Sequence, residues 1–282
     1  MNRDYIRTLV SLSLDEDVGK GDLTSNALVP KNHMSSAKII AKSDGVICGL
    51  ALAREAFCQL DPNIRFQRLV KDGQKIKAGT VLVKLKGRTR ALLTGERVAL
   101  NFLSYLSAIA TKTNCFVNAI KPYAAKILDT RKTTPLLRLI ERYAVVCGGG
   151  MNHRFDLNKM ALVKDNHRIV AQRKHLGLNE AVNLIKITAK TKVELEVDSL
   201  EELAEGLLTK AAIILLDNMT PEQTKTAVLM RNRINKKILL ESSGGINLTN
   251  VSQYAATGVE RISIGALTHS RQALDISLEF CS

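Results

Sequence analysis

Residues 192–245 read KVELEVDSLEELAEGLLTKAAIILLDNMTPEQTKTAVLMRNRINKKILLESSGG, and the fold turns on how this stretch is read. Three runs rich in Val, Ile and Leu, namely KVELEV (192–197), AAIILLDN (211–218) and KKILLESS (236–243), are short enough for strands and bounded by turn or cap residues. The segments between them are amphipathic and carry helix start signals. Ser199 and Glu202 form a capping box before LAEGLL. Thr220, Pro221 and Gln223 supply an N-cap, an N1 proline and an N3 glutamine. Strand, helix, strand, helix, strand in this order predicts βαβ units around a buried parallel sheet. Glu194 and Glu196 share the same two-residue parity in KVELEV, so both are expected to face the interior.

The pattern extends in both directions. AKILDT (125–130) and ALVKDN (161–166) precede it, RISIGA (261–266) follows, and Gly258 closes the last helix as a C′ residue. Six such strands fall short of the eight of a complete barrel, so the chain is expected to form an incomplete α/β barrel. Each strand finishes in polar residues: Asp129-Thr130-Arg131-Lys132, Lys164-Asp165-Asn166, Glu194 with Glu196, Asp217-Asn218, Ser242 to Gly245, and Ser263 with Gly265. In a barrel these ends converge on one mouth, where active sites sit.

Upstream the period changes. From Ala37 to about Leu93, AKIIAKSDGVICG and IRFQRLVKDGQKIKAGTVLVKLKG alternate apolar and polar residues between Asp-Gly and Ala-Gly turns, which predicts a small, largely antiparallel sheet. Residues 70–87 also look like a lipoyl- or biotin-carrier hairpin. They lack the modifiable lysine at a methionine-flanked tip, so a structural sheet is the better reading. Within GERVALNFLSYLSAIATKTNCFVNAI (95–120), Val98, Phe102, Tyr105 or Leu106, and Ile109 recur at helical spacing, which predicts one or two packed helices.

Composition bounds the function. In 282 residues, 45% hydrophobic and 24% charged, there is ample material for a soluble globular core. The 41 basic and 27 acidic residues leave a net charge of +14, compatible with nucleic acid, an anionic membrane surface or small polyanions. With no Trp and 4% aromatics, base stacking is a poor working principle. Cys48, Cys58, Cys115, Cys147 and Cys281 show no metal-ligand spacing and sit mostly among apolar neighbours, so reduced, buried thiols in a cytoplasmic protein are expected. The N-terminal MNRDYIRTLV lacks a signal-peptide core, and Ala211–Leu216 is too short to span a bilayer.

The excess charge is not spread evenly. Residues 131–175 hold ten Lys and Arg against Glu141, Asp156 and Asp165. Arg142, Lys159, Arg173 and Lys174 read as a solvated face. Arg131, Lys132 and Lys164 end apolar strands, and Arg154 follows the GGG turn at 148–150, positions suited to a multiply charged anion. Ser243-Gly244-Gly245 and Gly265-Ala266-Leu267 end the last two strands, where exposed backbone N–H groups cradle phosphate. Glu196 and Asp217, on adjacent strand ends, can hold a sugar diol, coordinate magnesium or stabilise positive charge. Together these point to transfer of a phosphorylated sugar.

Nine collinear stretches carry a resemblance over essentially the whole chain: LDEDVGKGDLTS, TGERVALNFLSYLSAIAT, LDTRKTTPLLR, GGGMNHR, LVKDNH, KVELEVDSL, ILLDNM, LESSGGI and GVERISIGALTHS. In these the sequence resembles the quinolinate phosphoribosyltransferase family. The resemblance implies an N-terminal α/β sandwich domain over residues 1–110, joined by the tail 268–282, and an incomplete α/β barrel over 111–267. It implies a magnesium-dependent enzyme that joins quinolinate to phosphoribosyl pyrophosphate and releases carbon dioxide, working as a homodimer with shared active sites. Arg97 of the GER motif would reach the partner's quinolinate, and Arg131, Lys132, His153, Arg154 and Lys164 would surround the dicarboxylate and pyrophosphate. Glu196 and Asp217 would serve the ribose and magnesium, with Lys132, Glu196 and Asp217 as the catalytic set. Ser243, Gly244, Gly245, Ser263, Ile264 and Gly265 would hold the 5′-phosphate. Lys132 and His153 both stand open as proton donor after decarboxylation. Many members have glycine where this chain has Leu136, a position expected only to shape a helix start.

A paralogous phosphoribosyltransferase acting on another pyridine is the nearest alternative. A nucleic-acid-binding protein is the alternative from another class, and it lacks any recognisable reading module.

Overall fold

In the computed structural model, residues 2–270 and 272–281 are described, and the chain divides into two compact units. The first comprises Met1–Asn114, Thr134–Gly149 and Ser270–Ser282, the second Cys115–Thr133 and Gly150–His269. The segment Thr134–Gly149 thus groups with the first unit, although it lies within the 111–267 span that the family resemblance implies for the barrel.

The first unit begins with helices α1 (Arg3–Val18) and α2 (Leu23–Leu28), followed by β1 (Met34–Ala41), β2 (Gly45–Val46), α3 (Leu50–Leu60), β3 (Arg65–Arg68), β4 (Lys75–Ile76), β5 (Val81–Arg88) and α4 (Thr89–Ala119). The strand β12 (Ile276–Phe280) returns from the C-terminal end, and the sheet runs β12-β1-β5-β3, antiparallel throughout. Alternation decides its two faces: Ala37, Ile39, Ala41, Val83 and Leu85 are buried, while Arg65, Lys84 and Lys86 are exposed. Residues 70–87 are therefore structural sheet, with β4 paired to β2 and β5 to β1 and β3.

Helix α4 is one continuous element of 31 residues, longer than its sequence period suggests. Val98, Leu103, Leu106 and Ile109 bury its apolar stripe. Gly95 permits its close approach to α3, since a Cβ there would stand 2.9 Å from Phe57 Cδ1. Helix α5 (Arg138–Cys147) follows Leu136, which holds a left-handed φ of 67° and is 88% exposed. Glycine adopts that conformation without strain, which is the physical meaning of the Leu136 departure.

The second unit contains β6 (Lys126–Leu128), β7 (Ala161–Val163), α6 (Asp165–Arg173), α7 (Leu178–Ala189), β8 (Val193–Val197), α8 (Leu200–Leu207), β9 (Ile213–Asp217), α9 (Pro221–Ile234), β10 (Leu239–Ser243), α10 (Val251–Ala256), β11 (Arg261–Ser263) and α11 (Ala266–His269). All six sequence-predicted strands form, paired in parallel in the order β6-β11-β10-β9-β8-β7. The sheet closes except between β6 and β7, which are consecutive in the chain and unpaired. On the β6 side of this gap, Met151 makes a single parallel bridge to Leu128. The expected caps form too: Ser199 accepts from Glu202 N, Thr220 and Gln223 make a capping box, and Gly258 sits at φ 90° after α10.

Two surface expectations are corrected. Arg142 is 8% exposed, not part of a solvated face, because α5 turns that side inward within the first unit. Cys48 is buried, but Cys115 and Cys281 are exposed; flanking apolar letters did not report which helix or strand face each occupies.

Candidate active site

The C-terminal ends of the six barrel strands open into one cavity of about 690 Å³. Of the fourteen residues singled out from sequence, thirteen line it, from Arg131 and Lys132 through to Ser263, Ile264 and Gly265. Arg97 does not; it lies exposed on α4 in the first unit.

Around the mouth the strands fall into three neighbouring pairs. β6 and β7 flank the gap and carry the cations: Arg131 and Lys132 follow β6, Lys164 follows β7, and His153 and Arg154 lie on the segment between them. Arg154 is anchored by Nη1 donating to the Met160 carbonyl at 3.0 Å. Burial, and then repulsion from the Arg131 cation, pulls the Arg154 guanidinium below its ordinary pKa, against the opposing pull of Glu194 and Glu196.

The next pair, β8 and β9, carries the acids. Glu196 pairs in register with Leu215, two residues before Asp217. Lys164 Nζ donates to Glu196 Oε2 at 2.6 Å, and Asn218 Nδ2 donates to Asp217 Oδ2 at 2.8 Å. Two carboxylates with free oxygen valence in an open cavity, and no thiol beside them, fit a hard cation. Neither belongs to a group of three protein ligands among the described residues, so magnesium there would need water and substrate oxygens to complete its shell, as it usually does.

The third pair, β10 and β11, presents backbone. Gly244 and Gly245 follow β10 with φ of 91° and 61°, a pair of left-handed residues. A Cβ on Gly244 would fall 2.1 Å from Asn218 Oδ1 and 2.9 Å from Asn218 N, so no larger residue fits without displacing the β9 end. Such turns leave N–H groups facing outward for a phosphate.

Below the cations lies a buried ionic cluster. His153 Nε2 stands 3.1 Å from Glu194 Oε2 and 3.2 Å from Glu241 Oε1, with both carboxyl side chains fully buried. Arg261 Nε pairs with Glu241 Oε2 at 2.5 Å. Burial by itself would lower the imidazole pKa, but the hydrogen bonds and charges of Glu194 and Glu241 outweigh it and push it up to about 9. Burial, and after it the Glu241 charge, likewise raises Glu194, against the hydrogen bond from His153. The Arg154 backbone N–H points at His153 Nδ1 from 2.8 Å. A proton on Nδ1 would set two N–H groups against each other, so Nδ1 accepts there and the extra proton is shared between Nε2 and the two carboxylates.

Sequence reasoning missed Glu241 and His269, and placed Thr130 and Asn218 at strand ends without giving them a role; all four line the cavity. Glu241 had a signal: a carboxylate inside the apolar strand KKILLESS must find a buried cation. Asn218, at φ 54°, had none beyond its place at a strand end.

The family model for the quinolinate phosphoribosyl transferase C-terminal domain matches residues 109–279, and that for its N-terminal domain matches residues 22–107. The chain belongs to the quinolinate phosphoribosyltransferase family. Among relatives, a probable nicotinate-nucleotide pyrophosphorylase (carboxylating) of Synechocystis is 41% identical over 94% of this chain and 89% of that protein. The nicotinate-nucleotide pyrophosphorylase (carboxylating) of Mycobacterium leprae is 39% identical over 98% of this chain and 97% of its own length. Among solved structures, a nicotinate-nucleotide pyrophosphorylase from Francisella tularensis superposes with a TM-score of 0.92 at 39% identity, covering 100% of this chain and 98% of that one. No helix among the described residues of this family member is long and apolar enough to cross a membrane.

Proposed function

We propose that this chain transfers the phosphoribosyl group of phosphoribosyl pyrophosphate to quinolinate, with decarboxylation, giving nicotinate mononucleotide, carbon dioxide and pyrophosphate. The observation that carries the reading is the threefold division of one mouth: cations on β6 and β7, acids on β8 and β9, glycine turns on β10 and β11. Arg131 and Arg154 match two planar carboxylates, and Lys132 and Lys164 add point charge beside them and the pyrophosphate. Ser243 to Gly245 and Ser263 to Gly265 hold the 5′-phosphate, which fixes the anomeric carbon over the acids. The pyridine nitrogen attacks that carbon as the bond to pyrophosphate breaks. Glu196 and Asp217 stabilise the positive charge that builds on the sugar. The N-ribosyl pyridinium then accepts the electron pair left by the departing carboxylate, and a proton replaces carbon dioxide on the ring.

Glu196 and Asp217, with substrate oxygens, would hold magnesium, which would neutralise the pyrophosphate charge. The assay is quinolinate- and phosphoribosyl-pyrophosphate-dependent release of carbon dioxide by purified protein, with and without magnesium, and with nicotinate as the competing acceptor. Turnover of nicotinate alone would replace this reading by a paralogous transferase.

The working form is a homodimer in which Arg97 serves the partner's quinolinate. Its exposure on α4 and the presence of the GER motif support this reading. An Arg97→Ala chain refolded with a Lys164→Ala chain should form hybrid dimers with one intact site, and about a quarter of wild-type activity should return by random pairing. Hybrid dimers seen by mass spectrometry with no recovered activity would assign Arg97 to its own subunit or to no role.

A further inference from the structure

The mechanism above leaves two buried carboxylates without work. Glu194 and Glu241 are both 0% exposed, on strands two places apart in the sheet, and both converge on one ring nitrogen of His153. Burying two carboxylates costs far more than one ordinary core packing choice unless cations and hydrogen bonds meet them. Here Arg261 pairs with Glu241 Oε2 and the His153 ring hydrogen-bonds Glu194 Oε1 at 3.3 Å, while Glu241 Oε1, 3.2 Å from the same ring nitrogen, is held as a charge contact without a hydrogen bond. The other ring nitrogen receives the Arg154 N–H at 2.8 Å, and the Asp129 carboxylate receives the His153 N–H at 2.7 Å. The backbone of residues 153 and 154 is thus pinned from below, at the one place where the barrel wall lacks a strand pair.

We propose that Glu194 and Glu241 are positioning residues for the pyridine dicarboxylate site: gripping His153 by Nε2, they fix the 153–154 backbone and so aim the Arg154 guanidinium beside Arg131. Glu241 extends the grip to Arg261, two residues before Ser263, and so couples the dicarboxylate side to the phosphate side. Both nitrogens of His153 are engaged in this arrangement, which removes it as a direct proton donor to the ring carbanion and leaves Lys132 for that step. The inference rests on the reading of the cavity as a quinolinate site.

Three alternative uses of the cluster are separable. A metal bound by His153, Glu194 and Glu241 would take the proton from Nε2. A merely structural cluster would affect stability and all kinetic constants alike. A catalytic His153 would offer one nitrogen to the substrate.

The experiment pairs variants with a measurement on the unaltered protein. Direct quinolinate binding is measured first for wild type; no binding would overturn the reading of the cavity and this inference with it. For Glu194→Gln, quinolinate affinity should fall roughly tenfold or more, as for other supporting partners of binding groups, while the phosphoribosyl pyrophosphate Michaelis constant moves less than about twofold. For Glu241→Gln both should worsen, because Arg261 is released as well. Folded variants that bind quinolinate as wild type does would overturn the proposal while leaving the proposed function standing. If the variants do not fold, long-range proton–nitrogen NMR of the wild-type imidazoles decides. A protonated Nε2 on His153, unchanged when quinolinate saturates the site, supports it. An unprotonated Nε2, or a ring that shifts to engage quinolinate, overturns it.

Discussion

The β6–β7 arc and the β10–β11 arc of the same mouth are built by opposite means, and in the proposed function each would bind an anion. The first relies on long side chains, Arg131, Lys132, Arg154 and Lys164, with Arg154 anchored on the Met160 carbonyl and Lys164 on Glu196. The second relies on main chain, with Gly244 and Gly245 in left-handed conformations against the end of β9. A side-chain site is adjustable and chemically selective: guanidinium forks distinguish planar carboxylates. A backbone site is rigid and indifferent to sequence except where a Cβ would intrude. The proposed function thereby assigns a planar dicarboxylate and a phosphate ester to two kinds of chemistry in one cavity.

The largest expected effect breaks the side-chain arc. Arg131→Ala should leave the fold intact and weaken quinolinate binding by about 2–5 kcal/mol, much of it from charge left unpaired. Phosphoribosyl pyrophosphate binding should hold, so titration calorimetry with each substrate separates the arcs; quinolinate affinity within a few-fold of wild type would remove Arg131 from the site.

Gly244→Ala tests the backbone arc. Its Cβ would stand 2.1 Å from Asn218 Oδ1 at a φ of 91°, a combination expected to cost about 1–3 kcal/mol in stability. The phosphoribosyl pyrophosphate Michaelis constant should rise with quinolinate affinity retained. At Gly245 nothing lies within 4 Å of a Cβ, so Gly245→Asn, which tolerates the left-handed region, should be mild. Equal damage from both would mean that the turn is not read residue by residue.

Proton linkage sharpens the same contrast. Against the opposing effect of burial, Glu194 and Glu241 push the His153 imidazole up to about 9 against 6.5 for the free group, and burial raises Glu194 too, so the folded cluster holds an extra proton. A folded-state pKa above the unfolded one means that the native state binds the extra proton. The stabilisation is complete below about pH 6.5 and is lost as pH rises through about 9. Melting temperature should therefore decline on the alkaline side, and His153→Gln should flatten that decline. A wild-type profile that stays level from pH 7 to beyond 9 would refute the shared proton.

The smallest effect lies away from the mouth and serves as a reference. Leu136→Gly should raise stability by about 0.5–1 kcal/mol, the relief of a left-handed non-glycine residue less the added chain entropy. Catalytic constants should not change. A fall in thermal stability would show that Leu136 contributes packing that its exposure conceals.

Much of this was legible in the letters. All six barrel strands, the caps at Ser199 and Thr220, and ten of the mouth residues follow from period, cap chemistry and the rule that strand ends gather at one face, while Arg154 came from its place after the GGG turn and His153 and Ile264 from the family resemblance. Glu241 escaped because a single acid in an apolar strand reveals burial but not its partner, which here comes from residues 88 positions upstream and 20 downstream. Arg142 and the exposed Cys115 and Cys281 escaped because composition near a residue does not say which side of an element it occupies.

By itself the sequence determined the secondary-structure order, the parallel barrel and the residue types at its mouth, since these depend on local propensity and on periods of 2 and 3.6 residues. Only the tertiary structure decided the gap between β6 and β7, the grouping of Thr134–Gly149 with the first unit, and the grip of Glu194 and Glu241 on His153. Those are outcomes of strand order and close approach between distant segments, where one ångström decides whether a carboxylate meets a ring nitrogen, and no local pattern encodes that distance.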